Sequence, residues 1–191
     1  MDNFAPVTPP RAPAGVTARS LARSASASPT QTLAALWRSH GAEPVLLVRT
    51  REGRELSRER CRGAEEFMPC CDPDALGGLP NVLYSAGITA QLALSSHLLD
   101  VGFPDDWCAR HVGYQVGRSL AYANATGFGY GCAETARLAQ VLSPYWKWNK
   151  RSLFDNPCPD DGGFTAREIE VILLNLMEHV YHVTGHAPSA A

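Results

Sequence analysis

Glu178, His179 and His182 combine residue types and spacings that could bind a metal ion. Side chains three or four residues apart share one face of a helix, and imidazole and carboxylate groups are ligands of zinc. Further ligands would have to come from elsewhere in the chain. The full predicted set is His97, His111, Glu178, His179 and His182. The interpretation that we favour is simpler: a polar stripe facing solvent, with one Glu–His pair.

Residues 145–151 read YWKWNKR, and this interleaving of aromatic and cationic side chains could stack nucleic-acid bases and neutralise phosphates. The predicted contact residues are Trp146, Lys147, Trp148, Lys150 and Arg151. The net charge of the chain is -2, so its composition does not favour nucleic acid as a partner. We favour the alternative that the tryptophans cap one end of a helical bundle while the cations stay in water.

The six cysteines include no C-x-x-C pair, which disfavours an all-thiolate zinc site. Cys132 is a separate case because it begins a predicted helix, and the field at a helix start lowers the pKa of a thiol. As a nucleophile it would need a base, for which His111 or His179 is the candidate. The favoured interpretation is a small packing residue.

The glycine-rich sequence GFGYG at 127–131 precedes the same helix, and helix starts can bind phosphate. A dinucleotide-binding motif needs a strand before the glycines, whereas a helix is predicted there. No Gly-Lys-Ser/Thr sequence follows either. Nucleotide binding is therefore disfavoured.

The fold that must position these groups is predicted to be built around residues 81–101. This segment carries no charged side chain before Asp100. Apolar or small residues occupy nearly every side of this predicted helix, so other helices must wrap it. A membrane span is disfavoured because the uncharged run includes Asn81, Gln91 and His97. The pattern predicts a soluble, cytoplasmic, mainly all-α protein, a bundle of about four principal helices around this central one.

The sequence signals for the other predicted elements differ in strength. A strand is predicted at 44–50, PVLLVRT, followed by a turn at Glu52 and Gly53, so at most one short strand or hairpin lies near 44–56. Residues 49–66 carry eleven charges of mixed sign, which predicts a solvated helix or hairpin arm. Thr165 and Glu168 form a capping box that starts the last helix. Further helices are predicted at 31–40, 104–125 and 132–143.

The predicted helix at 104–125 has a line of small residues, namely Gly113, Gly117, Ala121 and Ala125. Such a line lets another helix approach closely. Its expected partner is the small-residue side of the central helix, formed by Ala86, Ala90 and Ala93.

The chain divides into a tail, a domain and a short end. Residues 1–30 contain five prolines and one acid, which predicts a disordered tail, with an organelle transit peptide as the alternative. Residues 31–186 form the predicted helical domain, and 187–191 a flexible C-terminus.

No combination of residues identifies a reaction, so the catalytic residues are unknown and enzyme activity is left open. The leading expectation is a non-enzymatic accessory or protein-interaction domain that binds a protein partner or itself and uses no cofactor. One alternative is a metal-binding bundle, for example with zinc, with hydrolase or transferase chemistry. The further alternative is nucleic-acid contact through residues 145–151.

Overall fold

The computed structural model describes residues 31–69, 78–156 and 159–188, and within these ranges the regular secondary structure is helical. The helices are α1 (Leu33–His40), α2 (Arg51–Glu66), α3 (Gly78–Asp100), α4 (Asp105–His111), α5 (Val116–Ala125), α6 (Ala133–Val141), a 3-10 helix (Tyr145–Trp148), α7 (Lys150–Asp155) and α8 (Ala166–Thr184). The prediction of a helical bundle around a central helix is confirmed. The predicted tail at 1–30 lies outside the described residues.

The central helix is α3, which packs against α2, α5, α8 and the 3-10 helix. Leu83, Ala86, Leu94 and Leu98 on this helix are at most 1% exposed. By length and mean hydropathy alone α3 could cross a membrane, but 61% of its most apolar window is buried inside the protein. A helix buried in a protein core can have the same length and mean hydropathy, so packing inside the protein accounts for the apolar composition of α3.

The charged segment at 49–66 forms a helix, one of the two predicted forms, but this helix is not simply solvated, since α2 is the most extensive packing partner of α3. Ser57, Cys61 and Ala64 recur at helical spacing and are buried. These small side chains let the two helices approach, while the charged residues cover the outer side. The turn predicted at Glu52 and Gly53 was wrong, because both residues lie in the first turn of α2.

The helix predicted as continuous over 104–125 is broken into α4 and α5. Gly113 adopts a left-handed conformation with φ of 56°, which glycine tolerates without strain. The Cys108 carbonyl accepts hydrogen bonds from the amides of both Val112 and Gly113, which ends α4. As predicted, this part of the chain packs on α3, through α5. Gly117 does not take part in that contact as expected, because a side chain there would meet Gln140 of α6.

The last helix follows its sequence signals closely. The Thr165 hydroxyl accepts from the Glu168 amide, and the Glu168 carboxylate accepts from the Thr165 amide, as a capping box requires. At the other end Gly185 takes the left-handed conformation that commonly ends helices.

Candidate functional site

The histidines predicted as metal ligands make contacts of other kinds. His97 is 4% exposed and its Nε2 lies 3.3 Å from Thr126 Oγ1. His179 donates from Nε2 to the carbonyl oxygen of Phe128. The Phe128 ring contacts both imidazoles, with its centroid 4.9 Å from that of His97 and 4.6 Å from that of His179.

The remaining predicted ligands do not converge with His97 and His179 on one point. His182 is exposed, with its ring centroid 6.4 Å from that of His179, and Glu178 is exposed as well. His111 packs on Trp107, with centroids 4.9 Å apart. Within the described ranges, no three His, Cys, Asp or Glu side chains lie where they could hold one metal ion.

The aromatic and basic segment forms the 3-10 helix and the start of α7. Trp148 is 3% exposed and donates from Nε1 to the Val141 carbonyl, 3.2 Å away. The ammonium of Lys147 lies 5.4 Å from the Trp148 ring centroid, and burial lowers its pKa. Trp146 is exposed, as are Lys150 and Arg151. Trp148 therefore fills the position of a cap, and nucleic-acid contact by this segment stays a prediction.

Cys132 lies at the N-cap of α6 and is exposed. Burial raises the pKa of its thiol, but hydrogen bonds from Thr135 and from the Glu134 amide outweigh burial, so the pKa is lowered overall. His179, one of its two candidate bases, uses its Nε2 proton to bond the Phe128 carbonyl.

A buried Ser–His pair, which the sequence did not reveal, joins α2 to the residues after α8. Ser57 Oγ lies 2.7 Å from both His186 Nε2 and the Ser96 carbonyl oxygen. The carbonyl can only accept, so the one Ser57 hydroxyl hydrogen goes to it and His186 donates to Ser57. A histidine that donates to a serine cannot also take its proton. The pair therefore holds the residues after α8 against α2, and it is not a nucleophile with its base.

Asp100 forms a second set of polar contacts between elements close by. Its carboxylate is buried and accepts from Arg54 at 3.2 Å, with Arg49 at 3.6 Å. Arg54 also donates to the Thr184 carbonyl at the end of α8. Together, the Ser57–His186 pair and the contacts of Asp100 link α2, α3 and α8.

A cleft of about 520 Å³ opens beside the Ser–His pair. It is lined by Glu55, Arg58, Glu59, Cys61, Arg62, His186 and Ala187. The cleft mixes charges of both signs, which selects no one class of charged ligand. Burial raises the pKa of Cys61 to about 11, so its thiol stays protonated and is not a nucleophile.

The predicted strand at 44–50 is not paired as a strand, because the described residues offer it no second strand. Its side chains nevertheless alternate as in an extended chain: Val45 and Leu47 pack on the core, while Leu46 is 82% and Val48 53% exposed. We call residues 44–49 the edge segment.

The edge segment is held near both of its ends. The Val48 amide donates to the Gly102 carbonyl at 3.3 Å, and Trp107 Nε1 donates to the Glu43 carbonyl at 2.8 Å. Gly102 has φ of 106°, and a Cβ there would lie 2.6 Å from the Val48 backbone. Only glycine allows this close approach.

The other side of the edge segment has unpaired backbone groups. Successive amides of an extended chain point to opposite edges, so the groups of Val45 and Leu47 point away from the Gly102 side used by Val48. Among the described residues, the amides of Val45 and Leu47 have no hydrogen-bond partner in the backbone, and neither has the Leu46 amide on the Gly102 side.

A second cleft, of about 420 Å³, lies beside the exposed side chains of this segment. Its apolar lining includes Leu46, Val48, Leu56, Leu99 and Phe103, and its acidic rim is formed by Glu52, Asp105 and Asp106. The segment and the cleft together form a candidate interaction site. The signal in the sequence was a strand pattern with no second strand to pair with it.

No known protein family, no curated protein and no solved structure matches the chain.

Proposed function

We propose that this chain is a non-enzymatic protein-interaction domain that binds an extended polypeptide along residues 44–49. The observation that carries the proposal is the unpaired backbone of Val45 and Leu47 next to the exposed side chains of Leu46 and Val48. A free strand edge is a template for another strand. Added strands gain affinity from main-chain hydrogen bonds and specificity from alternate side chains.

Two further features support this function. The edge segment is fixed by Gly102 and Trp107, so a partner would meet a preformed edge and not have to order it. The adjacent apolar cleft could receive a side chain of the bound peptide.

We also propose a cytoplasmic location. Cys61, Cys108 and Cys132 are free thiols, and unpaired cysteines are typical of a reducing compartment.

Peptide binding tests the proposed function. A fluorescent heptapeptide with valine or leucine at alternate positions is expected to bind the full chain, as measured by fluorescence anisotropy at low protein concentration. Leu47→Pro removes an outward amide, so it is expected to weaken binding about tenfold, the effect of losing one hydrogen bond.

The matched control is the same peptide with N-methyl groups on alternate amides, which keeps its side chains but cannot complete the pairing. Circular dichroism checks that Leu47→Pro retains the helical fold. The proposal fails if the unmethylated peptide does not bind, or if the methylated peptide binds equally well.

A further inference from the structure

We infer that α8 pairs antiparallel with α8 of a second copy of this chain, through a stripe of four exposed residues. This pairing does not depend on peptide binding by the edge segment. It follows from which residues face outward on α8 and from their order along the helix.

The outward stripe lies on the side of α8 that faces away from the core. It consists of Arg167, Val171, Leu174 and Glu178, all of which are exposed. Successive residues of a helix are rotated by about 100°, so spacings of four, three and four residues keep these side chains on one line. On the opposite side lie the buried residues, which include Ile169, Leu173, Leu176 and Val180. The outward stripe is therefore open to a partner.

The centre of the outward stripe is apolar. Val171 is 48% and Leu174 52% exposed, whereas the isoleucines and the other leucines of α8 are buried. Covering these two side chains would remove apolar surface from water, which is favourable. Spacings of four, three and four residues are also those of the positions that face the partner helix in a coiled coil. The partner expected on the outward stripe is therefore another helix.

The two ends of the outward stripe carry opposite charges. Arg167 and Glu178 form no ion pair with any described residue. When two copies meet about a two-fold axis, each residue contacts the same position that contacts it from the other copy. Antiparallel pairing about the centre places Arg167 opposite the partner's Glu178 and Val171 opposite the partner's Leu174, and symmetry gives each pair twice. The outward stripe is therefore its own complement, which selects a second copy as the partner.

Other arrangements of two stripes lose these matches. A parallel pair places Arg167 opposite the partner's Arg167 and Glu178 opposite the partner's Glu178, and like charges across an interface are unfavourable. An antiparallel pair shifted by one heptad places Leu174 opposite the partner's Glu178, or Val171 opposite the partner's Arg167. Either shift sets a charged side chain against an apolar one.

The contact is short, because Arg167 and Glu178 lie about 16 Å apart along the helix axis. Its buried area falls at the low end of interface sizes, where complexes are weak and transient. The dimer is therefore expected to form reversibly and to dissociate on dilution.

Sedimentation velocity of the full chain from micromolar to millimolar concentrations tests the inference. Wild type is expected to associate into dimers. Arg167→Glu and Glu178→Arg each place like charges opposite one another at both ends of the stripe, so each is expected to raise the dissociation constant at least about tenfold. A 1:1 mixture of the two variants is expected to restore association, because their charges are complementary at both ends.

The matched control is Arg151→Glu, which makes the same charge change on an exposed residue of α7 and is expected to leave association unchanged. Arg167 lies in the first turn of α8, where negative charge is favourable, so Arg167→Glu is expected to keep the helix, as circular dichroism can check. Wild type that stays monomeric throughout, or variants that dimerise as tightly as wild type, would overturn the inference. Weakened variants whose mixture does not regain association would overturn the antiparallel pairing.

Discussion

Lowering the pH from neutral to about 4 is expected to cost about 3 kcal/mol of folding stability through His97 alone. Burial lowers the pKa of this histidine to about 4, although Asp100 nearby opposes the shift. The unfolded chain takes up the proton near pH 6.5, well before the folded chain does. The contribution is therefore fully present above that pH and is lost as the pH falls toward 4.

Urea unfolding of wild type and His97→Gln at several pH values measures this effect. Glutamine can still donate to Thr126 but does not titrate, so the variant is expected to lose about 3 kcal/mol less between neutral pH and pH 4. Leu98→Val is the control, since removing one buried methylene lowers stability by about 1 kcal/mol at every pH. Equal pH dependence in wild type and His97→Gln would contradict the burial of this imidazole.

Gly87→Ala is expected to lower the free energy of unfolding by about 2 kcal/mol. A Cβ at this position would lie 2.1 Å from the Cβ of Tyr145 in the 3-10 helix, so that helix would have to move away from α3. Alanine favours a helix over glycine by about 1 kcal/mol, and the packing cost must exceed this gain. Denaturant unfolding measures the difference.

Gly63→Ala in α2 is the matched control. Its Cβ would meet the end of the Leu92 side chain at 3.3 Å, and a methyl group at the end of a flexible side chain can shift. This variant is expected to be neutral or slightly stabilising. If Gly87→Ala proved as stable as Gly63→Ala, the 3-10 helix would not pack on α3 as described.

The sequence predicted the helices whose signals are local. The absence of charge before Asp100 identified α3, because such a helix cannot face water on any side. Thr165 and Glu168 located the start of α8, because a capping box acts within four residues.

The role of α2 could not be predicted from its charges. Its buried face consists of Ser57, Cys61 and Ala64, which are too small and too weakly apolar to stand out among the ten charged residues of this helix. What buries them is the close approach of α3, a tertiary contact. The break at Gly113 was missed for a similar reason, since a single glycine inside a helical pattern does not require a turn.

The candidate site was predictable only in part. The strand pattern at 44–50 was visible, but its unpaired edge depends on Gly102 and Trp107, which are distant in sequence. Likewise, the spacing of His179 and His182 could not show that His97 and His179 would each pack against the Phe128 ring. Spacing in the sequence shows which side chains share one face of an element, whereas the tertiary fold determines what each of them contacts.

Residue-resolved amide hydrogen exchange, with and without a saturating strand peptide, tests most directly whether residues 44–49 are a free strand edge. At low protein concentration the Val48 amide is expected to exchange slowly, because it is bonded to Gly102, while those of Val45 and Leu47 exchange fast. Bound peptide is expected to slow Val45 and Leu47 at least about tenfold. Amides of Val45 and Leu47 that are already protected without a partner, or that stay fast when the peptide is bound, would contradict the account.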